Sequence, residues 1–318
     1  MTGGAGRQVR VELSAVVLAL RPEETGPEPV VLTPKLQDGQ RDLPTASFDP
    51  DRHGTLQEAL REQVGRQTDL SLGYVEQLYT FGDPTRSNAA PPDQPHTVSI
   101  GYLALTHAEE IGEGSDWTRW SDWFPWEDAT PEAPSILAET ILPGLAAWAA
   151  RFAERRERVD LLFGLAGQPW RDELALERYE LLYEADLVAE TWRDRGAAPP
   201  NGLPLLGQPA PRDHRRILAT GIGRLRGKLK YRPVLFELMD AAFTLFELQR
   251  AAEAVSGVAL HKQNFRRMVE ASGLLERTGT VSTRTGGRPA AEYRFAAEAL
   301  AERRATAVRF GAARLRSG

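Results

Sequence analysis

Between Phe243 and Phe295 the chain carries two helix-like segments joined by a short turn, then two strand-like segments, and few folds accept that order in so little sequence. Thr244 opens the first helix, TLFELQRAAEAV, with Glu247 three residues on, the spacing of a capping box. Gly257 to Leu260 reads as a tight turn. His261 then opens HKQNFRRMVEASGLL, whose apolar side is Phe265, Met268, Val269 and, after Gly273, Leu274. ERTGTVSTRTGGRPAAEYRF follows, with strand-like ends at Thr278–Thr283 and Ala291–Phe295 around a Gly-Gly-Arg-Pro turn. An earlier helical segment is expected around Val234 to Ala242.

This is the outline of a winged helix-turn-helix. In such a domain the second helix lies in the DNA major groove and its early residues reach base edges. Here those are His261, Lys262, Gln263, Asn264, Arg266 and Arg267. Arginine pairs with guanine, and asparagine or glutamine with adenine. Arg284 and Arg288 sit at the hairpin tip, where they suit phosphates or a minor groove, and Gly286–Gly287 allow close backbone approach. The competing reading is a helical domain with a solvated basic face.

Charge favours the first reading. The chain holds 39 Lys+Arg and 44 Asp+Glu, a net −5. From His214 onward there are 20 basic and 9 acidic residues, +11, which leaves 19 and 35, or −16, for the rest. A basic third on an acidic body is the pattern of one domain that meets nucleic acid and another that does not.

Composition excludes other classes. The 318 residues suggest two domains. No run of 18 apolar residues occurs, so no membrane span is expected, and Met1 to Arg10 lacks the apolar core of a secretory signal. The absence of cysteine removes disulfides, thiol nucleophiles and Cys-ligated zinc, and five scattered histidines speak against a His-rich metal site. A cytoplasmic location is expected.

The acidic part alternates strands and helices. Arg10 to Leu20 and Pro29 to Thr33 read as a strand hairpin, Thr97 to Leu105 and Leu78 to Phe81 as further strands. Thr55 to Gln67 reads as a helix, with Leu56, Leu60 and Val64 on one face, Thr55 as N-cap and Glu58 completing a capping box. Trp117, Trp120, Trp123 and Trp126 are expected to pack over a sheet edge, since Pro125 interrupts any helix. Ser135 to Glu157 and Leu174 to Trp192 read as two long amphipathic helices, and residues 196–213 as a linker or a long loop.

EQLYTFGDPTR (Glu76 to Arg86), the run Phe243 to Gly279 and GGRPAAEYRF (Gly286 to Phe295) resemble the Nudix-related transcriptional regulators of the NrtR type. LERYELLYEADLV (Leu176 to Val188) resembles the NadQ-like subgroup. The resemblance covers roughly residues 10–130 and 230–296. It implies an α+β protein: an N-terminal Nudix-like α/β/α sandwich with a mixed sheet over 1–150, a helical connector over 151–213, and a C-terminal winged helix-turn-helix over 214–318. It further implies control of genes of NAD metabolism as a repressor, double-stranded operator DNA as partner, a homodimer, no membrane, and a nucleotide effector such as ADP-ribose, NAD or ATP with no required cofactor. For that effector, Arg10, Lys35 and Arg86 are candidates to meet phosphates, and Tyr79 and Phe81 to stack on a base, with core packing as the competing role for the two rings and solvated charge for Lys35 and Arg86.

Active Nudix enzymes carry glutamates on one helix face that hold the divalent metals activating water. Aligning Thr68–Leu70 with the end of that motif puts Glu62 at its Arg, Gln63 at its first Glu, Arg66 and Gln67 at the next two, Asp69 at its Gly, and Gly54 at the earlier Glu. A shift by one restores Arg61–Glu62 but sets Gly65–Arg66 at the downstream pair. Neither frame keeps enough carboxylates, so no catalytic or metal-binding residue and no enzyme activity is expected. The alternative is an active hydrolase of ADP-ribose or a related nucleoside diphosphate with an appended interaction domain.

Overall fold

The computed structural model describes residues 8–24, 26–36, 41–70, 72–83, 86, 95–108, 111–127, 136–229, 234–282 and 289–296. The N-terminal half is built on strands β1 (Val9–Arg21), β2 (Glu28–Pro34), β3 (Thr45–Ser47), β4 (Tyr74–Phe81), β5 (His96–Leu105) and β6 (Ser115–Arg119), with helix α1 (Leu56–Thr68) between β3 and β4. The strand order is β4-β5-β1-β2-β6, with β3 also on β1. β1 and β5 run parallel and the other pairs antiparallel, so the sheet is mixed as expected. The hairpin read from the sequence is present, with Leu18 opposite Val31.

Alternation along β1 explains why both faces need a cover. Leu13, Ala15 and Val17 point to one core, which α1 seals with Ala59, Leu60 and Val64. Val16, Leu18 and Leu20 point to a second, larger core. Thr55 caps α1 by accepting from the Glu58 amide, but Glu58 Oε2 accepts from the Gly54 amide rather than from Thr55, so the box is only half formed.

The second face is covered by helices that differ from the two long ones expected. Leu137–Ile141 is a π-helical turn, followed by α2 (Leu142–Ala149) and α3 (Ala153–Phe163). Pro143 has no amide to donate, and the wider turn lies just before it. The second segment splits into α4 (Ala175–Glu184) and α5 (Ala189–Asp194), because Asp186 takes a left-handed conformation (φ 61°) that ends the first helix. Trp120, Trp123 and Trp126 are buried in this core rather than over an edge, and Trp123 Nε1 donates to Thr118 Oγ1 at 3.3 Å.

Helix α6 (His214–Leu229) begins where the sequence reading opens the DNA-binding domain, yet it packs on α4 and on β1, β4 and β5. Its glycines permit this. A Cβ at Gly221 would lie 2.6 Å from Val16 Cγ1, and one at Gly223 would lie 2.7 Å from the Glu173 carbonyl. The helix expected over Val234–Ala242 is a short 3-10 turn, Val234–Glu237.

The C-terminal unit contains β7 (Phe243–Thr244), α7 (Leu245–Ser256), α8 (Lys262–Ala271), β8 (Leu275–Ser282) and β9 (Ala290–Phe295), with strand order β7-β9-β8. Phe243, Leu248, Val255, Phe265 and Tyr293 continue the core that starts at the sheet, so the two units share one apolar interior.

Candidate nucleic-acid interface and effector domain

The turn between α7 and α8 is set by side chains of α7. Thr244 and Glu247 close the full capping box that starts the helix. Gly257, at φ 69°, ends it, with its amide on the Glu253 carbonyl at 2.8 Å. Gln249 Nε2 then donates to the Leu260 carbonyl at 2.9 Å, while Glu253 Oε1 accepts from the Leu260 amide at 2.9 Å. Both backbone groups of Leu260 are thus held one residue before the N-cap of α8, His261.

On α8 only Phe265 is buried, and Val269 is half-buried. His261, Lys262, Gln263, Asn264, Arg266 and Arg267 are all exposed. Met268, expected on the apolar side, is 62% exposed. At about 100° per residue, Phe265 and Val269 define the inward direction, and Gln263 and Arg267 point away from it. Among the described residues, none of Lys262, Arg266 and Arg267 is in an ion pair. Arg284, Arg288 and Gly286–Gly287 lie outside the described residues.

The basic excess of the last third divides in two. All five Lys and Arg of α6 face carboxylates of the acidic body: Arg215 pairs with Glu190 at 3.2 Å, Arg216 with Glu180 at 2.5 Å, Arg224 and Lys228 with Glu76 at 3.3 and 2.8 Å, and Arg226 with Glu127. Their charge is spent inside the protein. Among the described residues, Lys262, Arg266 and Arg267 of α8 and Arg277 of β8 remain exposed and outside any ion pair.

Glu127, the partner of Arg226, is held by Arg178 of α4 as well. Glu127 and Arg178 are almost wholly buried, and Arg178 donates to both carboxylate oxygens at 2.7 Å. Burial pushes the Glu127 pKa up, but Arg178 and Arg226 outweigh it and hold the carboxyl below its ordinary range. A second cluster ties the start of α6 to β1. Asp42 accepts from His214 Nδ1, and Arg212 reaches Glu12 at 2.9 Å and Asp42 at 2.7 Å. Burial alone would lower the His214 pKa, yet bonds to Asp42 and Glu12 raise it.

The five effector candidates do not converge. Arg10 is exposed at the start of β1. Lys35 follows β2 and pairs with Asp116 at 3.6 Å. Tyr79 and Phe81 lie on edge strand β4, three strands away from β2, or roughly 14 Å at the usual strand spacing. Tyr79 is 55% exposed, and Phe81 is buried with Arg216 over its ring at 5.4 Å. Arg86 gives both Nη groups to Glu180, at 3.0 and 2.6 Å, and stacks on Tyr183. Phe81 and Arg86 therefore meet around Glu180, while Lys35 stands apart. Sequence reasoning missed Glu127, Arg178, His214, Arg215 and Arg226; a lone basic or acidic residue carries no sign that it is buried.

On α1, Glu62 is flanked by the guanidinium groups of Arg52 at 3.5 Å and Arg66 at 3.2 Å and by the His53 ring at 3.2 Å. Arg61 donates to the carbonyls of Leu72 and Gly73. A carboxylate ringed by guanidinium groups is a poor seat for a divalent cation.

Residues 235–295 match the family model of the NrtR DNA-binding winged helix domain. The C-terminal domain is an NrtR winged helix. The ADPR responsive transcriptional repressor NtrR of Acinetobacter baylyi is 42% identical over 84 residues, 26% of this chain and 33% of that one, so the match spans about a third of the length of that curated relative. Shewanella oneidensis NrtR in complex with a 27mer DNA is similar in fold, with a TM-score of 0.53 at 19% identity over 92% of this chain and 95% of that one. A MutT/nudix family protein from Enterococcus faecalis gives 0.54 at 13% identity over 93% and 90%. The N-terminal sandwich thus has the Nudix-like fold expected, joined to an NrtR winged helix.

Proposed function

We propose that the protein is a DNA-binding transcriptional regulator, acting as a repressor of NAD-metabolism genes, whose Nudix-like domain senses a nucleotide of the ADP-ribose class. One observation carries this reading: a segment matching the NrtR winged helix presents Lys262, Arg266 and Arg267 exposed and, among the described residues, outside any ion pair, while the basic residues of α6 are paired internally. Two guanidinium groups and an ammonium exposed on one short helix suit a polyanion with readable edges. The relative named as ADPR responsive supports the effector class. In this reading the sensor comprises the sheet with its helices through α6, and the DNA-binding unit follows it. The protein acts as a homodimer on paired half-sites. The sensor does not hydrolyse its ligand, because Glu62 is held by Arg52, Arg66 and His53. Arg10, Lys35 and Tyr79 are the three exposed effector candidates, while Phe81 is buried and Arg86 is half-buried.

Selection of DNA from a random pool tests the regulator reading. The full chain enriches a sequence, binding weakens steeply with salt, and the Arg266→Ala/Arg267→Ala variant loses binding without losing helical content. Unchanged binding by that variant places the interface elsewhere. Incubation with ADP-ribose and Mg²⁺ tests the sensor: the ligand raises Tm and is recovered intact, whereas cleavage above buffer favours the hydrolase alternative.

A further inference from the structure

Arg226, in the last turns of α6, is fully buried and reaches three separate parts of the chain. Its Nη2 donates to the Glu127 carbonyl at 2.7 Å and its Nη1 to the Glu127 carboxylate. Nη1 also meets the Asp172 carbonyl at 3.1 Å. Its Nε donates to the Val255 carbonyl at 2.9 Å. Glu127 and Asp172 belong to the effector side. Val255 lies in the last turn of α7, two residues before Gly257 opens the turn into the recognition helix. One planar guanidinium therefore joins the sensor to the frame that aims α8.

We propose that Arg226 is a positioning residue for DNA binding: it fixes α8 relative to the effector domain and carries a nucleotide-induced shift of the sensor to the DNA face. This rests on the regulator reading above. The apolar contacts shared by the two units are non-directional and resist sliding poorly. A five-donor fork holds direction as well as distance, and lysine cannot replace it. Removing Arg226 does not orphan the buried carboxylate, because Arg178 still holds both oxygens of Glu127. The loss falls on the joint between the units.

The chain has no cysteine, so Glu157→Cys on α3 and Ala271→Cys on α8, both at exposed positions, accept a pair of spin labels. Electron–electron distance measurements on the full chain should give a narrow distribution that moves when ADP-ribose is added. In the Arg226→Met background the distribution broadens and ADP-ribose no longer moves it. Arg226→Lys, which keeps the charge without the fork, behaves like Arg226→Met and serves if that variant does not fold. On the selected DNA, the change in affinity on adding ADP-ribose, expected in the usual coupling range of about 5–150-fold, falls toward one. A folded Arg226→Met protein with the parent's narrow, responsive distribution overturns the proposal. A narrow parent distribution that ignores ADP-ribose overturns the relay. If the parent binds no DNA, the regulator reading fails, and the distance measurement still decides what Arg226 holds.

Discussion

Arg178 donates to the two carboxylate oxygens of Glu127 through Nε and Nη2, at 2.7 Å each, where neither side chain is more than 1% exposed. Such a pair is costly to bury and costlier to break, because the surviving charge has no water to turn to. Glu127→Ala leaves two buried guanidinium groups facing each other. Urea denaturation should show a loss of about 3–5 kcal/mol. Replacing Glu127, Arg178 and Arg226 together with apolar residues of similar volume should cost less than Glu127→Ala alone, since no unpaired charge remains. A larger loss in the triple variant means that the bonds of the two arginines to backbone carbonyls outweigh the ion pairs.

The Asp42–His214 contact makes stability depend on pH. His214 is raised above its ordinary 6.5 by Asp42 and Glu12 despite its burial. Its contribution is complete below about pH 6.5, where the unfolded imidazole is also protonated, and is lost as pH rises through the folded value. Glu12 and Asp42 are shifted down from 4.5 and 3.8: burial pushes both up, but bonds to His214 and the charge of Arg212 outweigh it. Their contribution is complete above those ordinary values and fades as pH falls through the lowered ones. The cluster thus stabilises most between pH 4.5 and 6.5. His214→Gln should flatten the alkaline side of a plot of unfolding free energy against pH. An unchanged slope between pH 6 and 9 would show that other groups set it.

Much of this was legible in the sequence where pattern and packing agree. The β1–β2 hairpin follows from apolar alternation, and α7, its turn and α8 follow from a capping box, Gly257 and an apolar side of which Phe265 and Val269 turn inward. Helix α6 was not legible. Its glycines at 221 and 223 argue against a helix on propensity, yet they are the positions where α6 touches β1 and the Glu173 carbonyl. Its arginines looked like part of a DNA-facing charge excess, and burial turns them into internal partners of Glu76, Glu127, Glu180 and Glu190. Charge counts along a chain cannot separate those two uses. The effector candidates do not gather, since Lys35 follows β2 while Tyr79 lies on β4, three strands away.

Thr244 starts α7 with both halves of a capping box in place. Thr244→Ala removes the acceptor for the Glu247 amide and should cost about 1 kcal/mol, within the 0.5–2 range for N-caps. Thr244→Ser should cost less, because the hydroxyl remains. Thermal melts of the three proteins read this directly. Equal losses for alanine and serine would assign the effect to packing of the buried threonine methyl group.

Gln249 and Glu253 hold the carbonyl and amide of Leu260, and Leu260 precedes the N-cap of the recognition helix. Glu253→Ala removes the acceptor for the Leu260 amide and a partner of Gln249 and Arg250. The fold should survive, at a cost of about 1–2 kcal/mol, because α7 keeps its cap and its buried face. DNA affinity should fall further than stability accounts for, since a small change in the angle of α8 moves Gln263 and Arg267 away from base edges. Salt titration separates the two effects. Lost aim reduces the preference for the selected sequence over random DNA, while the slope of log affinity against log salt, which counts phosphates, changes little. If the preference is retained and only the slope falls, Glu253 affects backbone contacts and the turn does not aim the helix.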